Sequence, residues 1–158
     1  MLEGLKAVDS ARLPPQGGGT IKAWSRIGYE LPDALADLID NSIDAGAGRV
    51  EITIYRNDEE VTSVTIADDG RGMDAATLRL GMQFAGRTDH DPDDLGVFGM
   101  GLKSAAFSQC ETLTVISRQG GATSAARWSV EQIDKDWSCE FLDGEGSAEE
   151  FRKLCIPA

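Results

Sequence analysis

The chain has 158 residues, which is enough for one domain with one hydrophobic core and too few for two ordinary domains. Apolar residues make up 41% and charged residues 27%, as in a globular protein in water, and no run approaches the roughly 18 apolar residues that a membrane span requires. The net charge of −12 disfavours direct nucleic-acid contact by this domain, because such surfaces carry clustered lysine and arginine side chains.

The first 20 residues have the composition of a connecting segment. Pro14 and Pro15 are adjacent and stand close to three consecutive glycines at 17–19. Such a run suits neither a helix nor a central strand. We predict a flexible leader over residues 1–20 and a folded domain over residues 21–158. The start has no basic region followed by an apolar run, so we expect no secretory signal.

The segment LPDALADLIDNSIDAGAG predicts a helix over residues 32–45. Pro32 suits the first turn, and the glycines at 46 and 48 mark the end. Apolar side chains share one face at helical spacing: Leu35, Leu38, Ile39 and Ile43. Polar side chains share another face: Asp33, Asp37, Asn41 and Asp44. Seen in isolation, this acidic stripe is more typical of a solvated surface than of a binding site.

Two β-rich runs follow the helix. RVEITIYR alternates apolar and polar residues as a half-buried strand does, and EVTSVTIA is the second run. Only a short polar segment separates them, whereas a parallel crossover needs about a dozen residues or more. We therefore predict an antiparallel hairpin.

The remaining elements alternate between helices and strands. The second strand leads into DDGRG, and Asp74 is a plausible N-cap for the next helix. A long loop rich in glycine and aspartate then opens a helix over residues 101–110. Two strands joined across Gly120 and Gly121 come next. A further strand within DWSCEFL and a short terminal helix, begun by a capping box of Ser147 and Glu150, complete the chain.

These elements predict an α+β fold, a two-layer α/β sandwich. We expect a mixed, mostly antiparallel sheet packed against helices 32–45 and 101–110.

The sequence is close to two common phosphate-binding motifs but matches neither. Gly96 and Gly101 have the spacing of a P-loop, but Leu102 stands where that motif requires lysine. Gly70, Gly72 and Ala75 match a dinucleotide fingerprint, which belongs in a βαβ unit and not after a hairpin.

Three motifs in order resemble those of the GHKL ATPases, the Bergerat-fold family. DLIDNSIDAGA resembles the family's N box, DDGRGM its first glycine box and GVFGMGLKSAAF its second, within residues 28–118. The family includes MutL, MORC proteins, the gyrase B subunit, heat-shock chaperones and histidine kinases. The N-x-x-D-A form and the GLKS ending look closer to the MutL, MORC and heat-shock chaperone branch than to the histidine kinases.

The resemblance implies a site for ATP and Mg²⁺. Asn41 corresponds to the family's magnesium ligand, and an amide oxygen is the hard donor that this ion prefers. Asp68 corresponds to the aspartate that accepts a hydrogen bond from the adenine amino group, although aspartate before glycine is also a common turn residue. Gly70 and Gly72 let the backbone approach the base. Met73 either packs against the adenine or fills the core.

The second glycine box implies the phosphate side of the site. Backbone N–H groups of the glycine loop and the following helix N-terminus attract anions, and Lys103 and Ser104 add side-chain contacts. Arg87 and Thr88 stand where the family's nucleotide lid begins. The implied nucleotide-binding set comprises Asn41, Asp44, Ala45, Asp68, Gly70, Gly72, Met73, Arg87, Thr88, Gly96, Val97, Phe98, Gly99, Met100, Gly101, Leu102, Lys103 and Ser104.

The sequence departs from the family at the catalytic base. The MutL and MORC branches carry a glutamate four residues before the metal-binding asparagine, and here that position is Asp37. Aspartate is shorter by one methylene group, and a general base must reach the proton that it removes. Hydrolysis is then slow, uses a second water or is absent. Asp40 lies about 60° round the helix from Asp37 and is a weaker candidate.

A second departure concerns the C-terminal part. The family's Gly-Thr pair on a late strand helps to hold the adenine-binding aspartate, and nothing after Arg118 matches it. The chain is then a fragment or a minimal version that lacks the C-terminal strand. Both alternatives affect nucleotide affinity and predict an unfinished sheet edge that invites pairing.

Three functions remain open. The first is a slow ATPase in which lid closure acts as a conformational switch. The others are a non-hydrolysing ATP-binding module and a phosphotransferase of the histidine-kinase or anti-sigma type. The expected partners are ATP or ADP, a protein partner or further domains, and a second copy of the chain, with no membrane. Three widely separated cysteines, Cys110, Cys139 and Cys155, favour the cytoplasm.

Overall fold

The computed structural model describes residues 30–84 and 100–154, together with Gly19. Apart from Gly19, the predicted leader lies outside these residues. The helices are α1 (Leu31–Asp44), α2 (Ala75–Gly81), α3 (Met100–Gln109), α4 (Val130–Asp136) and α5 (Gly144–Leu154). The strands are β1 (Val50–Asn57), β2 (Glu60–Asp68), β3 (Thr112–Gln119), β4 (Ala122–Ser129) and β5 (Glu140–Phe141). Within the described residues, no helix is long and apolar enough to cross a bilayer.

Helix α1 forms as predicted, but its inward face differs from the expected one. Pro32 lies in the first turn, where its missing N–H group leaves no hydrogen bond unmade. Ala34 and Ser42 are the buried residues, whereas the side chain of Ile43 is 61% exposed. Ile43, a member of the predicted apolar face, is thus exposed, while the small Ser42 at the neighbouring position turns inward.

The first pair of strands confirms the predicted hairpin. β1 and β2 pair antiparallel, with Val50 opposite Asp68 and Asn57 opposite Glu60. The register shifts between Tyr55 and Arg56, which is the signature of a β-bulge. β2 ends at Asp68, so the strand delivers this carboxylate to the start of the glycine-rich turn.

The second sheet contains β3, β4 and β5 in that order. Gly120 and Gly121 join β3 to β4 with positive φ angles of 59° and 84°, as a two-residue hairpin turn requires. Every described strand pair is antiparallel, and the strands form two separate sheets instead of the single mixed sheet that we expected. The α+β class with antiparallel strands and packed helices is confirmed.

The hydrophobic core lies between the second sheet and the helices. Asp74 caps α2 as predicted, because its carboxylate accepts a hydrogen bond of 2.7 Å from the backbone N–H of Thr77. The core cluster consists of Leu78, Met82, Phe107, Ala126, Trp128 and Ile133. Helices α1 and α3 also pack against each other. This places the helix that bears the acidic stripe beside the helix that follows the second glycine box.

The C-terminal part differs from the sequence-based expectation. Helix α4 was not predicted, and the strand expected within DWSCEFL is reduced to Glu140–Phe141. Helix α5 begins at Gly144, and the carboxylate of Asp143 accepts a hydrogen bond of 2.6 Å from the Gly146 N–H group. The predicted capping role of Ser147 was wrong, because its hydroxyl lies inside the helix and donates to the Asp143 carbonyl oxygen.

Candidate functional site

The polar face of α1 places Asp37 and Asn41 one helical turn apart. The side-chain nitrogen of Asn41 donates a 2.8 Å hydrogen bond to the backbone carbonyl of Asp37. This bond engages the amide nitrogen, so the amide oxygen is the atom of Asn41 that fits a magnesium ion. Asn41 is exposed and Asp37 is half-buried. The donor chemistry of Asn41 therefore matches the predicted metal role.

The carboxylate of Asp68 is held from two sides. One oxygen accepts a 3.1 Å hydrogen bond from the Ser42 hydroxyl of α1, and the other accepts a 2.9 Å bond from the backbone N–H of Gly70. Ser42 is only 4% exposed. These two donors orient the carboxylate at the junction of α1, β2 and the glycine-rich turn.

The turn itself is fastened to the C-terminal end of α1. The backbone N–H of Arg71 donates to the carbonyl oxygen of Ala45 at 3.0 Å, and its guanidinium group donates to that of Asp44 at 2.6 Å. A Cβ atom at Gly70 would lie 2.8 Å from the Cβ atom of Ala45, so only glycine fits there. Asp44 and Ala45 thus join the site through their backbone carbonyls.

Asp69 stabilises the loop that connects α1 to β1. Its carboxylate accepts hydrogen bonds of 2.8 Å from the backbone N–H groups of Gly48 and Arg49. The bond from Arg49, followed by that from Gly48, lowers the pKa of Asp69 below its ordinary value. Asp69 therefore has a local structural role, while the adjacent Asp68 faces α1.

Lys103 lies in an unexpected environment. Its side chain is 0% exposed, and its ammonium group donates a 2.6 Å hydrogen bond to the carbonyl oxygen of Gly81, the last residue of α2. The ammonium nitrogen also lies 5.3 Å from the centre of the Phe84 ring. Burial lowers the pKa of Lys103 to about 8. Its predicted contact with phosphate therefore requires the buried ammonium group to become accessible, although two of its three N–H donors are not used by the bond to Gly81.

The other residues at the start of α3 have ordinary helical environments. The hydroxyl of Ser104 donates to the carbonyl oxygen of Gly101 at 3.1 Å, and Leu102 is half-buried. Met100 is the first residue of the helix. The remaining predicted contacts lie outside the described residues: Arg87, Thr88, Gly96, Val97, Phe98 and Gly99.

The structure thus brings together part of the predicted set. Asp68, Gly70, Asp44 and Ala45 share one hydrogen-bonded junction with α1, and Met73 packs against the core cluster. Sequence reasoning missed Ser42. The available signal was its position next to Asn41 on the inward side of a helix that also carries the acidic stripe, where a buried hydroxyl requires a partner.

Comparison with known proteins identifies a family and several relatives to which this chain is similar. A family model described as "Histidine kinase-, DNA gyrase B-, and HSP90-like ATPase" matches residues 29–153. DNA mismatch repair protein MutL of Rhodospirillum rubrum is 34% identical over 102 residues, covering 62% of this chain and 16% of the relative. MutL of Paramagnetospirillum magneticum is 31% identical over 150 residues, covering 90% and 24%. MutL of Caulobacter vibrioides is 30% identical over 155 residues, also covering 90% and 24%.

The matches cover most of this chain but only a small part of the relatives. The chain spans 16% of the length of the first of these MutL proteins and 24% of the second and third. The similarity therefore concerns one segment of much longer proteins.

Proposed function

We propose that this chain, which belongs to the family of histidine kinase-, DNA gyrase B- and HSP90-like ATPases, binds ATP with magnesium between helix α1 and the turn after β2. The family membership confirms the resemblance drawn from the three motifs, including the likeness to MutL. It also implies ATP binding and hydrolysis at the level of the family. The finer assignments to single residues are our proposal.

The observation that carries the proposal is the double support of the Asp68 carboxylate. Ser42 and the N–H group of Gly70 each bond one oxygen, and an ionised carboxylate still has lone pairs for a further donor. The 6-amino group of adenine is such a donor, whereas guanine carries a carbonyl oxygen at that position. Asp68 therefore selects adenine nucleotides.

The metal and the phosphates would be held by residues of α1 and α3, two helices that pack against each other. Asn41 supplies an amide oxygen to magnesium, and the ion, when bound, neutralises phosphate charge. The first turn of α3, which contains Gly101, Lys103 and Ser104, offers backbone N–H groups to the phosphates, and the buried Lys103 ammonium adds a contact when it becomes accessible. The residues of the glycine loop, at 96–99, and the lid residues Arg87 and Thr88 complete the proposed set.

Asp37 is the proposed general base for a slow hydrolysis. It lies one turn before Asn41 on α1, as a base acting on a water beside the metal-bound phosphates should. The side chain of Asp37 is shorter than the family's glutamate. This difference favours a second candidate function, a nucleotide-binding module that does not hydrolyse ATP.

The bound nucleotide then controls how this chain contacts other proteins or domains. We propose that ATP binding changes the conformation of the site and so its contacts with a protein partner, further domains or a second copy of this chain. The relatives are named as DNA mismatch repair proteins, and the acidic charge of this chain assigns direct nucleic-acid contact to other parts of such an assembly. A cytoplasmic location belongs to the same proposal.

The test is a calorimetric titration of the 158-residue chain with ATP, ADP and GTP, with magnesium and with a chelator. We expect binding of ATP and ADP, magnesium-enhanced binding of ATP and weak binding of GTP. Phosphate release at saturating ATP separates the slow ATPase from the binding module. Absence of binding of any adenine nucleotide would contradict both.

A further inference from the structure

The glycine-rich turn has a second support on the side away from α1. The backbone N–H of Met73 donates a hydrogen bond of 2.7 Å to the hydroxyl of Ser117 on β3. Ser117 is 7% exposed, and neither residue order nor motif spacing connects it with the turn. A buried hydroxyl that accepts from a backbone N–H group in another element fixes the distance between the two segments.

The next two residues of β3 also contact the turn. Gly72 has a positive φ of 65°, and a Cβ atom there would overlap the carbonyl oxygen of Arg118. The side-chain nitrogen of Gln119 lies 3.2 Å from the carbonyl oxygen of Gly72 and 3.4 Å from that of Arg71. Residues 117–119 of β3 thus contact residues 71–73 of the turn through side-chain hydrogen bonds and one close approach of the two backbones.

We propose that Ser117 and Gln119 are positioning residues that set the adenine selectivity of the site by fixing the turn against β3. This inference rests on the proposed role of Asp68 in binding adenine. The turn is held on one side by Ala45 and Asp44 and on the other by β3. Loss of the second support lets residues 70–73 move relative to α1, which displaces the Gly70 N–H group that orients Asp68.

The two side chains contribute unequally. Ser117 is buried, so its loss leaves the Met73 N–H group without its acceptor in a place where water cannot replace it readily. Gln119 is exposed, and its bonds are longer. Water replaces an exposed hydrogen bond at little cost, so we expect Ser117 to have the larger effect.

The experiment compares nucleotide binding of the full chain with that of four variants. Ser117→Ala removes the acceptor, Ser117→Thr retains a hydroxyl, and Gln119→Met removes the exposed donor. Ser124→Ala is the matched control, since Ser124 pairs with Ser117 across β3 and β4 and, among the described residues, forms no hydrogen bond with the turn. Affinities for ATP, ADP, adenosine and GTP are measured by calorimetry with magnesium.

Ser117→Ala should weaken ATP, ADP and adenosine by the same factor of about tenfold, the scale of one buried hydrogen bond left unmade. The preference for ATP over GTP should fall, while Ser117→Thr and Ser124→Ala should resemble the parent. Gln119→Met should weaken ATP, ADP and adenosine by about twofold and lower the preference for ATP over GTP by a similar factor, as a weak exposed bond predicts. A lower melting temperature of Ser117→Ala with an unchanged ratio of ATP to GTP affinity would show a merely structural role and overturn the inference.

Amide exchange separates the failure of this inference from the failure of the proposed function. If the parent binds no adenine nucleotide, the proposed function and the selectivity claim both fail. The contact with β3 is then judged from the exchange rate of the Met73 N–H group, which should rise in Ser117→Ala and stay unchanged in Ser124→Ala. Unchanged exchange in both, with nucleotide binding intact, overturns the positioning role alone. Should Ser117→Ala fail to fold, the comparison of Gln119→Met with the parent decides the outcome.

Discussion

The hydroxyl of Ser42 donates a hydrogen bond of 3.1 Å to Asp68, a residue 26 positions later in the chain. The bond joins the inward face of α1 to the end of β2. Because the other Asp68 oxygen is bonded by the Gly70 N–H group, the carboxylate cannot rotate without breaking one of the two bonds. Ser42 therefore contributes to the base-binding side of the site, while the adjacent Asn41 serves the metal side.

Replacing Ser42 by alanine should lower the affinity for ATP and ADP by roughly three- to tenfold, the range of one ordinary hydrogen bond, because the Gly70 N–H group still holds the Asp68 carboxylate. The helix should persist, because alanine is the best helix former. Calorimetric titration gives the affinities, and Ser63→Ala on exposed β2 is the control. Parent-like affinity in Ser42→Ala would remove Ser42 from the site.

Replacing Asn41 by alanine should abolish the enhancement of ATP binding by magnesium. The substitution removes the amide oxygen and the 2.8 Å side-chain bond to the carbonyl of Asp37, while the backbone of α1 keeps its own hydrogen bonds. Titrations with magnesium and with a chelator measure the effect, and Asp40→Ala on the same helix is the control. A variant that still gains affinity with magnesium as the parent does would show that Asn41 is not the ligand.

Replacing Lys103 by methionine should change how stability depends on pH. Burial lowers the pKa of Lys103 to about 8, below its ordinary value of 10.5, so the charged form is disfavoured in the folded state. This cost is fully present below pH 8 and disappears as the pH rises towards 10.5. The free energy of unfolding of the parent, relative to the variant, should therefore rise by about 2 kcal/mol between pH 7 and pH 10.

Denaturant unfolding across that range checks this prediction, and Lys135→Met at an exposed position is the control that should show no such slope. The Lys103→Met variant also tests whether Lys103 contacts the phosphates. Loss of affinity for ATP with unchanged affinity for adenosine supports a contact between Lys103 and phosphate. An equal loss for both ligands assigns Lys103 to the junction of α2 and α3 alone.

Replacing Asp37 should change hydrolysis more than binding. We expect Asp37→Ala to abolish phosphate release and to preserve or tighten ATP binding, because a negative charge beside the phosphates is removed. Asp37→Glu extends the carboxylate by one methylene and should raise the rate, and general-base effects of about 10²–10⁴-fold are easily measured. Single-turnover phosphate release at saturating ATP is the assay.

Equal turnover in the parent and Asp37→Ala would exclude Asp37 as the base. If the parent, Asp37→Ala and Asp37→Glu all bind ATP and release no phosphate, the binding-module function replaces the ATPase.

The predictable parts of the fold are those with strong local signals. The β1–β2 hairpin follows from alternation and a short connection, and the β3–β4 turn follows from two glycines that tolerate positive φ. Helix α4 has only seven residues, too few for a periodic pattern, and β5 has only two. The two-residue β5 depends on tertiary contacts that local sequence does not encode, whereas α4 begins with a local N-cap, Ser129, that sequence reasoning missed.

The candidate site divides in the same way. Motif order points to Asp68, Gly70 and Asn41, but it cannot indicate which neighbouring side chains turn inward. Ser42 and Ser117 enter the site because of how α1 and β3 pack against the turn. The burial of Lys103 likewise depends on a tertiary contact, its hydrogen bond to the end of α2, whereas a lysine after a glycine loop ordinarily suggests an exposed cation.

The most direct test of the account is the ratio of ATP to GTP affinity in the parent and in Asp68→Asn, with Asp40→Asn as the exposed control on α1. We predict that the parent prefers ATP by about tenfold or more, as a charged hydrogen bond worth roughly 1.5–3 kcal/mol requires. Asp68→Asn should lose most of this preference and bind ATP more weakly, while its melting temperature stays close to that of the parent. Equal affinity of the parent for ATP and GTP, or an unchanged ratio in Asp68→Asn, would contradict the account.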